Sequence, residues 1–442
     1  MCLSRAKFFY SGLLLLCVLN VSAQTGSVSN PTNGRENNPY SKYGIGELLN
    51  SNNASIRGMG NLTSTYANPY EVNSENPASF AFIQRTTFEL GGTASIRTLK
   101  AAGLTYKTGT TTVSYLSLGF PVHKNAGISF GFKPYTHVYY NMVDTLNSTT
   151  NPPSPIGQVV RSYNGEGGLN TAYFGAGYKF KGLSAGINMG YTFGTINSAI
   201  ATVPIDTATY NGAFITEFNK NTRINGFNWK VGLMYEHKLD SQYTLRLGGT
   251  FSWMQSLTER YSAYEVSTHS LGDTLLTIIT DSTVNKYGQL TLPMSFTVGA
   301  MLARNNKWGL GVDFAYTDWS GFKSTPNSLF DTGVGKSSYK ISLGGEITPD
   351  VNNMRSYLSR VTYRLGFYYG VDYVKLYNTT LPCYGVTAGA SLPFKRSLSR
   401  LNMAIDLGRL GTNTNNLIQQ SYVRFTLGIT ISDRWFIPRK YD

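Results

Sequence analysis

The sequence predicts an all-β fold: a transmembrane antiparallel β-barrel of about 14 strands, with an N-terminal plug (hatch) in its lumen. Three observations carry that reading. Charged residues make up only 14% of the chain, aromatics reach 13%, and there are 46 glycines; soluble domains typically carry ~25% charged residues. Beyond the first two dozen residues, no apolar run approaches the ~20 residues a membrane helix needs. Segments of about ten residues alternate apolar and polar side chains, and they recur along the chain. Backbone polar groups find no partners in hydrocarbon, so such a chain crosses a membrane as a closed barrel.

The N-terminus sets the compartment. Arg5 and Lys7 precede the mostly apolar stretch Phe8 to Val21, and Val21-Ser22-Ala23 places small residues before Gln24. This is a signal-peptide pattern over residues 1–23, which implies export to the outer membrane of a Gram-negative bacterium. A lipoprotein signal at Cys17 would need a small residue where Leu16 stands. Cys2 and Cys17 leave with the signal, so Cys383 alone remains. That excludes an intramolecular disulfide and a multi-cysteine metal site. The net charge of +14 falls by two, to +12, when Arg5 and Lys7 are removed. The remaining Lys and Arg are scattered, which suits anionic headgroups and gives no reason to expect nucleic acid.

Residues 24–85 show no strong periodicity and read as the hatch. They hold Tyr43-Gly44-Ile45-Gly46, Arg57-Gly58-Met59-Gly60-Asn61 and Glu75-Asn76-Pro77-Ala78-Ser79-Phe80. Clustered glycines and an Asn-Pro step favour turns and close backbone packing. A ~60-residue irregular stretch in a compact protein is usually functional.

Residues 86–442 read as the barrel. Alternation predicts strands over 86–99, 111–122, 127–143, 159–180, 183–202, 222–239, 243–266, 285–304, 307–319, 338–348, 359–375, 382–394, 399–410 and 421–436. In the clearest, Leu290, Leu292, Met294, Phe296, Val298, Ala300 and Leu302 share a face. Phe227 to Tyr235, Trp308 to Tyr316 and Val423 to Ile431 repeat the pattern, which turns Lys230, Glu236, Asp313, Arg364, Asp406 and Arg424 inward. Links alternate between short (His123–Ala126, Lys181-Gly182, Asp240–Gln242, Asn305-Asn306) and long and polar (Asp144–Gln158, Pro204–Asn221, Ser267–Val284, Gly321–Ser337). Thr348–Leu358 is longer than its side requires. Short turns on one side and long loops on the other characterise outer-membrane barrels.

Asn76-Pro77-Ala78, set after Gly-rich turns and before the first strand, resembles the long-chain fatty-acid transporter (FadL-like) family. The closing stretch Arg424-Phe425-Thr426-Leu427-Gly428-Ile429 through Trp435-Phe436 is similar to the last strand of such barrels. The resemblance implies fourteen strands, a hatch carrying the Asn-Pro-Ala motif, and a kinked third strand opening sideways into lipid. Pro134, between Lys133 and Tyr135, is the candidate for that kink, because proline cannot donate to a ladder; an ordinary bulge is the other reading. The implied function is passive uptake of fatty acids or other hydrophobic small molecules, with Asn76, Pro77, Ala78, Phe80 and Pro134 as the ligand or gate residues. The same family includes PorV-like accessory barrels of secretion machines, whose partners are other envelope proteins. An apolar pocket touching Asn76–Phe80 would mark the conduit; a tightly filled lumen and ordered loops would mark the accessory barrel.

Other chemistry is sparse. Gly127-Ile128-Ser129-Phe130-Gly131 and Gly182-Leu183-Ser184-Ala185-Gly186 match the nucleophile-elbow spacing without its strand–turn–helix setting. His123, His137, His237 and His269 lack metal-type spacing, and no phosphate loop occurs. The expectation is therefore no enzyme, no cofactor and no metal.

Overall fold

The computed structural model describes residues 36–433 except 102, 148–157, 206–213, 272–273, 306, 326–331, 354 and 396. The signal peptide, hatch residues 24–35, Asn306, the tips of three long links and Trp435-Phe436 lie outside the described residues.

Fourteen antiparallel strands form the barrel. They are β1 (Thr86–Ala101), β2 (Leu104–His123), β3 (Ala126–Pro134 and Thr136–Leu146), β4 (Val159–Phe180), β5 (Leu183–Pro204), β6 (Ile215–Lys238) and β7 (Tyr243–Ser252 and Gln255–Leu271). There follow β8 (Thr274–Leu292 and Met294–Arg304), β9 (Trp308–Asp318), β10 (Ser337–Ile347), β11 (Thr362–Leu376), β12 (Thr379–Pro393), β13 (Arg400–Leu410) and β14 (Gln419–Asp433). Each pairs with its sequence neighbour, and the ladder from Gln419–Lys100 to Asp433–Thr86 closes β14 on β1. Closure removes the sheet edges that lipid could not satisfy.

Outward positions carry the apolar belt. Phe227, Leu233, Leu310, Val312, Phe367 and Phe425 are all exposed. The six charges expected inside do face the lumen, where they meet the hatch or other wall side chains. Lys230 pairs with Glu75, Glu236 with Lys179 and Arg246, Arg364 with Glu346 and Arg424 with Glu47. Asp313 accepts from Thr63 and Ser64, and Asp406 accepts from the Tyr368 hydroxyl.

Three expectations need correcting. The run Leu290 to Leu302 does not share one face: Leu290 is fully buried in the lumen, while Val298 is 48% exposed on the outside. Pro293 breaks β8 opposite the Trp253–Met254 break in β7, and across this paired break both strands switch faces while their register is kept. The long link expected over 267–284 is mostly a hairpin, in which β7 and β8 stay paired out to Leu271–Thr274. Both of its faces are wet, so it shows no apolar–polar contrast in sequence. The gap left between the strands predicted over 86–99 and 111–122 is largely strand instead, with β1 and β2 paired out to Ala101–Leu104.

Hatch residues from Glu36 to Arg85 contain little regular structure beyond α1 (Ala54–Gly58) and a short helical turn, Pro77–Phe82. Ile45, Ile56, Met59, Leu62 and Phe80 are buried almost completely. At roughly 1.5–3 kcal/mol for each such side chain, burial holds the hatch without secondary structure.

Candidate functional site

The site is the lumen, and the hatch builds it. Asn76 caps the Pro77–Phe82 turn: its side-chain oxygen accepts from the Ala78 amide at 3.0 Å, and Pro77 supplies the preset φ of a first helical position. The Asn76 amide nitrogen also donates to Ser64 O. The turn lies on bare wall. A Cβ on Gly186 would come within 2.4 Å of Pro77, one on Gly177 within 2.5 Å of Pro77 O, and one on Gly127 within 2.1 Å of Phe80 O. Gly232 plays the same part beneath Asn76. Four neighbouring strands, β3 to β6, thus offer glycine where Asn76 to Phe80 dock.

A second patch receives Arg57 to Gly60. Gly344, Gly366 and Gly389 lie against the Gly58–Gly60 backbone. Thr387 receives the Gly60 amide at 2.8 Å and donates to Gly58 O at 3.1 Å. Arg57 spans the lumen to Thr93 and Thr426 at 2.7 and 2.9 Å.

Ion pairs hold the remainder. Glu75 sits between Lys133 and Lys230. Burial alone would raise its carboxyl, but the two ammonium groups outweigh that and hold it well below the usual range. Glu47 lies 2.8 Å from Arg97 and 2.7 Å from Arg424, and Glu36 lies 2.6 Å from Arg97. Against the same burial penalty, the two guanidiniums bring Glu47 down to about 2.

At Pro134 the wall changes. Among the described residues, the β2–β3 ladder ends at Leu116–Phe132, and the second half of β3 takes the hatch as its partner. Glu47 and Leu48 pair with His137 and Thr136, and the Leu49 amide donates to Tyr135 O. Ser51 donates to Pro134 O, Asn38 N donates to Tyr139 O, and the Asn37 side chain brackets Asn141. On the other side β3 stays attached to β4 through the Tyr135 amide, which donates to Leu169 O. The interruption is a bulge whose open edge the hatch covers.

Two cavities flank this strip, and Leu48, Leu49, Asn50, Ser51 and Pro134 line both. The larger, about 400 Å³, presents Asn50, Asn188, Asn228, Gln255 and the Glu75–Lys133–Lys230 group. Its lining includes none of Asn76 to Phe80. Beyond it, buried apolar side chains from β3 to β8 and β11 to β14 join Tyr40 and Ile45 of the hatch in one layer across the lumen. Leu169, Ile224, Leu257, Leu290 and Leu381 are at its centre, each 0–1% exposed.

The five residues marked in the sequence thus fall in two places. Asn76, Pro77, Ala78 and Phe80 form one buried docking turn, and Pro134 stands apart at the seam. The anchoring groups Glu47, Glu75, Arg97 and Asp313 were not identified as such in sequence; the available signal was glycine recurring at alternate strand positions. Ser129 and Ser184 are buried within strands, and Ser184 donates to Met234 O at 3.1 Å. Among the described residues no cluster of His, Cys, Asp and Glu could hold a metal ion.

Comparisons with known proteins agree with the fold. The monoaromatic hydrocarbon channel CymD superposes with a TM-score of 0.54 at 13% identity, covering 89% of this chain and all of that one. The Pseudomonas putida toluene transporter TodX gives 0.56 at 17% identity, over 88% and 99% of the two chains. A Pseudomonas aeruginosa FadL homologue gives 0.53 at 11%, over 88% and 99%. No curated protein matches the sequence. At these identities the likeness speaks for the barrel alone, a FadL-type outer-membrane fold. The BamG family model matches residues 7–442, and with that match over nearly its whole length the chain belongs to the BamG family.

Proposed function

We propose that the protein is a permanently plugged outer-membrane barrel serving as an accessory subunit of a secretion or outer-membrane assembly complex, binding other envelope proteins through its parts outside the membrane. The observation that carries this is the double filling of the lumen. The hatch lies on glycine wall on one side, and a packed apolar layer drawn from ten strands lies on the other. The cavity left between them is lined by polar and apolar side chains alike and includes none of Asn76–Phe80. A conduit for hydrophobic molecules calls for an apolar pocket at that motif.

A second reading, passive uptake of hydrophobic small molecules, is favoured by one feature. The interruption at Pro134 has a cavity on either side of a single thin strip, Leu48 to Ser51. Displacing that strip would join the cavities and uncover the β3 edge.

Native mass spectrometry on protein extracted gently from its own outer membrane separates the readings. The accessory reading expects a stoichiometric complex with other envelope proteins and no bound apolar molecule. A lone barrel carrying such molecules, with toluene or fatty-acid uptake into proteoliposomes above the protein-free rate, would reverse it.

A further inference from the structure

The short-turn end of the barrel carries cations that the fold leaves without counter-charges. Arg304 ends β8, Lys307 sits in the β8–β9 turn, Arg355 and Arg360 in the β10–β11 link, and Lys395 in the β12–β13 turn. Among the described residues none of these five enters an ion pair. The four links from β6–β7 to β12–β13 at this end contain two acids, Asp240 and Asp350, and both already accept from backbone amides.

Three of these links make one surface. The Thr348 amide donates to Lys307 O at 2.7 Å, and the Tyr357 hydroxyl donates to Pro393 O at 3.1 Å. The β10–β11 link, longer than its side of the barrel requires, turns toward lipid. Tyr363 stands on the outer face of β11 with Leu365 and Phe367, and its hydroxyl donates to Leu358 O at 3.2 Å. Leu358 is thereby held at the edge of the apolar belt, where it is 67% exposed. Tyr357 and Phe394 beside it are exposed as well.

The cations lie over aromatic rings. The Arg360 guanidinium is 5.4 Å from the centre of the Tyr357 ring, and that of Arg304 is 5.9 Å from the Tyr243 ring. Tyr243 in turn meets Trp308 edge to face. Along the barrel axis the order is therefore apolar belt, aromatic rings, cations. A phospholipid has the same order of acyl chain, glycerol interface and phosphate, and long basic side chains lay their stems on apolar surface while the charge reaches outward. An acidic protein would satisfy the cations but would leave Leu358, Tyr357 and Phe394 without a reason to be exposed beside the belt.

We propose that the outer rim formed by the β8–β9, β10–β11 and β12–β13 links binds anionic phospholipid, with Arg355, Arg360 and Lys395 on the phosphate and Leu358 against the acyl chain. Short turns face the periplasm in such barrels, so the lipid belongs to the periplasmic leaflet. The contact holds whether the barrel works alone or within a complex.

The test uses the full mature chain, delipidated in mild detergent and offered phosphatidylglycerol and phosphatidylcholine of matched acyl chains in equal amounts. Native mass spectrometry reads the lipid retained, and resistance of the barrel to heat controls for folding. Wild type should prefer phosphatidylglycerol by at least about tenfold, since each basic residue near an anionic lipid surface contributes roughly a fivefold factor. The variant Arg355→Gln/Arg360→Gln/Lys395→Gln should lose that preference. The variant Lys100→Gln/Lys107→Gln/Lys375→Gln removes the same charge from exposed positions at the long-loop end and should keep it. Equal retention of the two lipids by wild type would overturn the site, and so would an undiminished preference in the first variant. Equal loss in both variants would reduce it to overall charge, and equal retention of glycerol phosphate would make it a free-phosphate site. In the otherwise wild-type chain, a photo-crosslinking residue at position 358 should capture phosphatidylglycerol and one at position 377 should not; equal capture would refute the placement.

Discussion

At the scale of single residues, the hatch depends on what the wall omits. Gly186 adds nothing to β5 as a strand, and a side chain there would collide with Pro77. We expect Gly186→Ala to weaken hatch docking by about 1–3 kcal/mol, as overpacking does. The readout is faster hydrogen exchange across Asn76–Phe80 in a barrel that still resists heat; unchanged exchange would refute the cradle. Glu75 is the electrostatic counterpart. Glu75→Gln leaves Lys133 and Lys230 facing each other and should cost about 2 kcal/mol of hatch stability, seen as protease cleavage within residues 61–76. The pH dependence follows from the sign of the shifts. The Glu47 and Glu75 carboxyls titrate below the unfolded value near ~4.3, so their stabilisation is complete above about pH 4.3. It is lost as pH falls through the lower folded values, near 2 for Glu47. Hatch protection measured from pH 7 to 2 should therefore hold to about pH 4 and then decline; a loss between pH 7 and 5 would contradict this.

At the scale of elements, proline decides where long strands are interrupted. Pro134 divides β3 and Pro293 divides β8. Both were visible in the sequence, yet their consequences differ: one swaps the faces of a strand, and the other leaves an edge for the hatch. Because the strip Glu47 to Ser51 covers that edge, we expect Pro134→Val to leave toluene uptake into proteoliposomes at the wild-type rate. A clear change in uptake would move the balance to the conduit. The β7–β8 hairpin was missed as strand because period two shows only where the faces meet different solvents.

At the scale of the molecule, the strands close without the hatch, through the β14–β1 ladder. Plugging and barrel formation are therefore separable. Deleting residues 36–85 should yield a heat-resistant barrel that conducts ions in planar bilayers, while the full chain stays silent. A deletion variant that folds and remains silent would mean that the barrel's own apolar side chains suffice to seal it.

The sequence by itself determined the class of fold, the number of strands and the six lumenal charges. Each of these follows from local constraints: lipid on one face and enclosed space on the other write an alternation that survives without any knowledge of neighbours. Only the tertiary structure decided what the hatch touches. Asn76 to Phe80, marked as a gate, lies on glycines from four different strands, and Glu47 meets arginines from β1 and β14. Those partners are brought together by barrel closure, which sets residues from opposite ends of the chain side by side. The mixed lining of the cavity and the apolar layer beyond it arise in the same way, from side chains contributed by many strands, and no single segment carries their pattern.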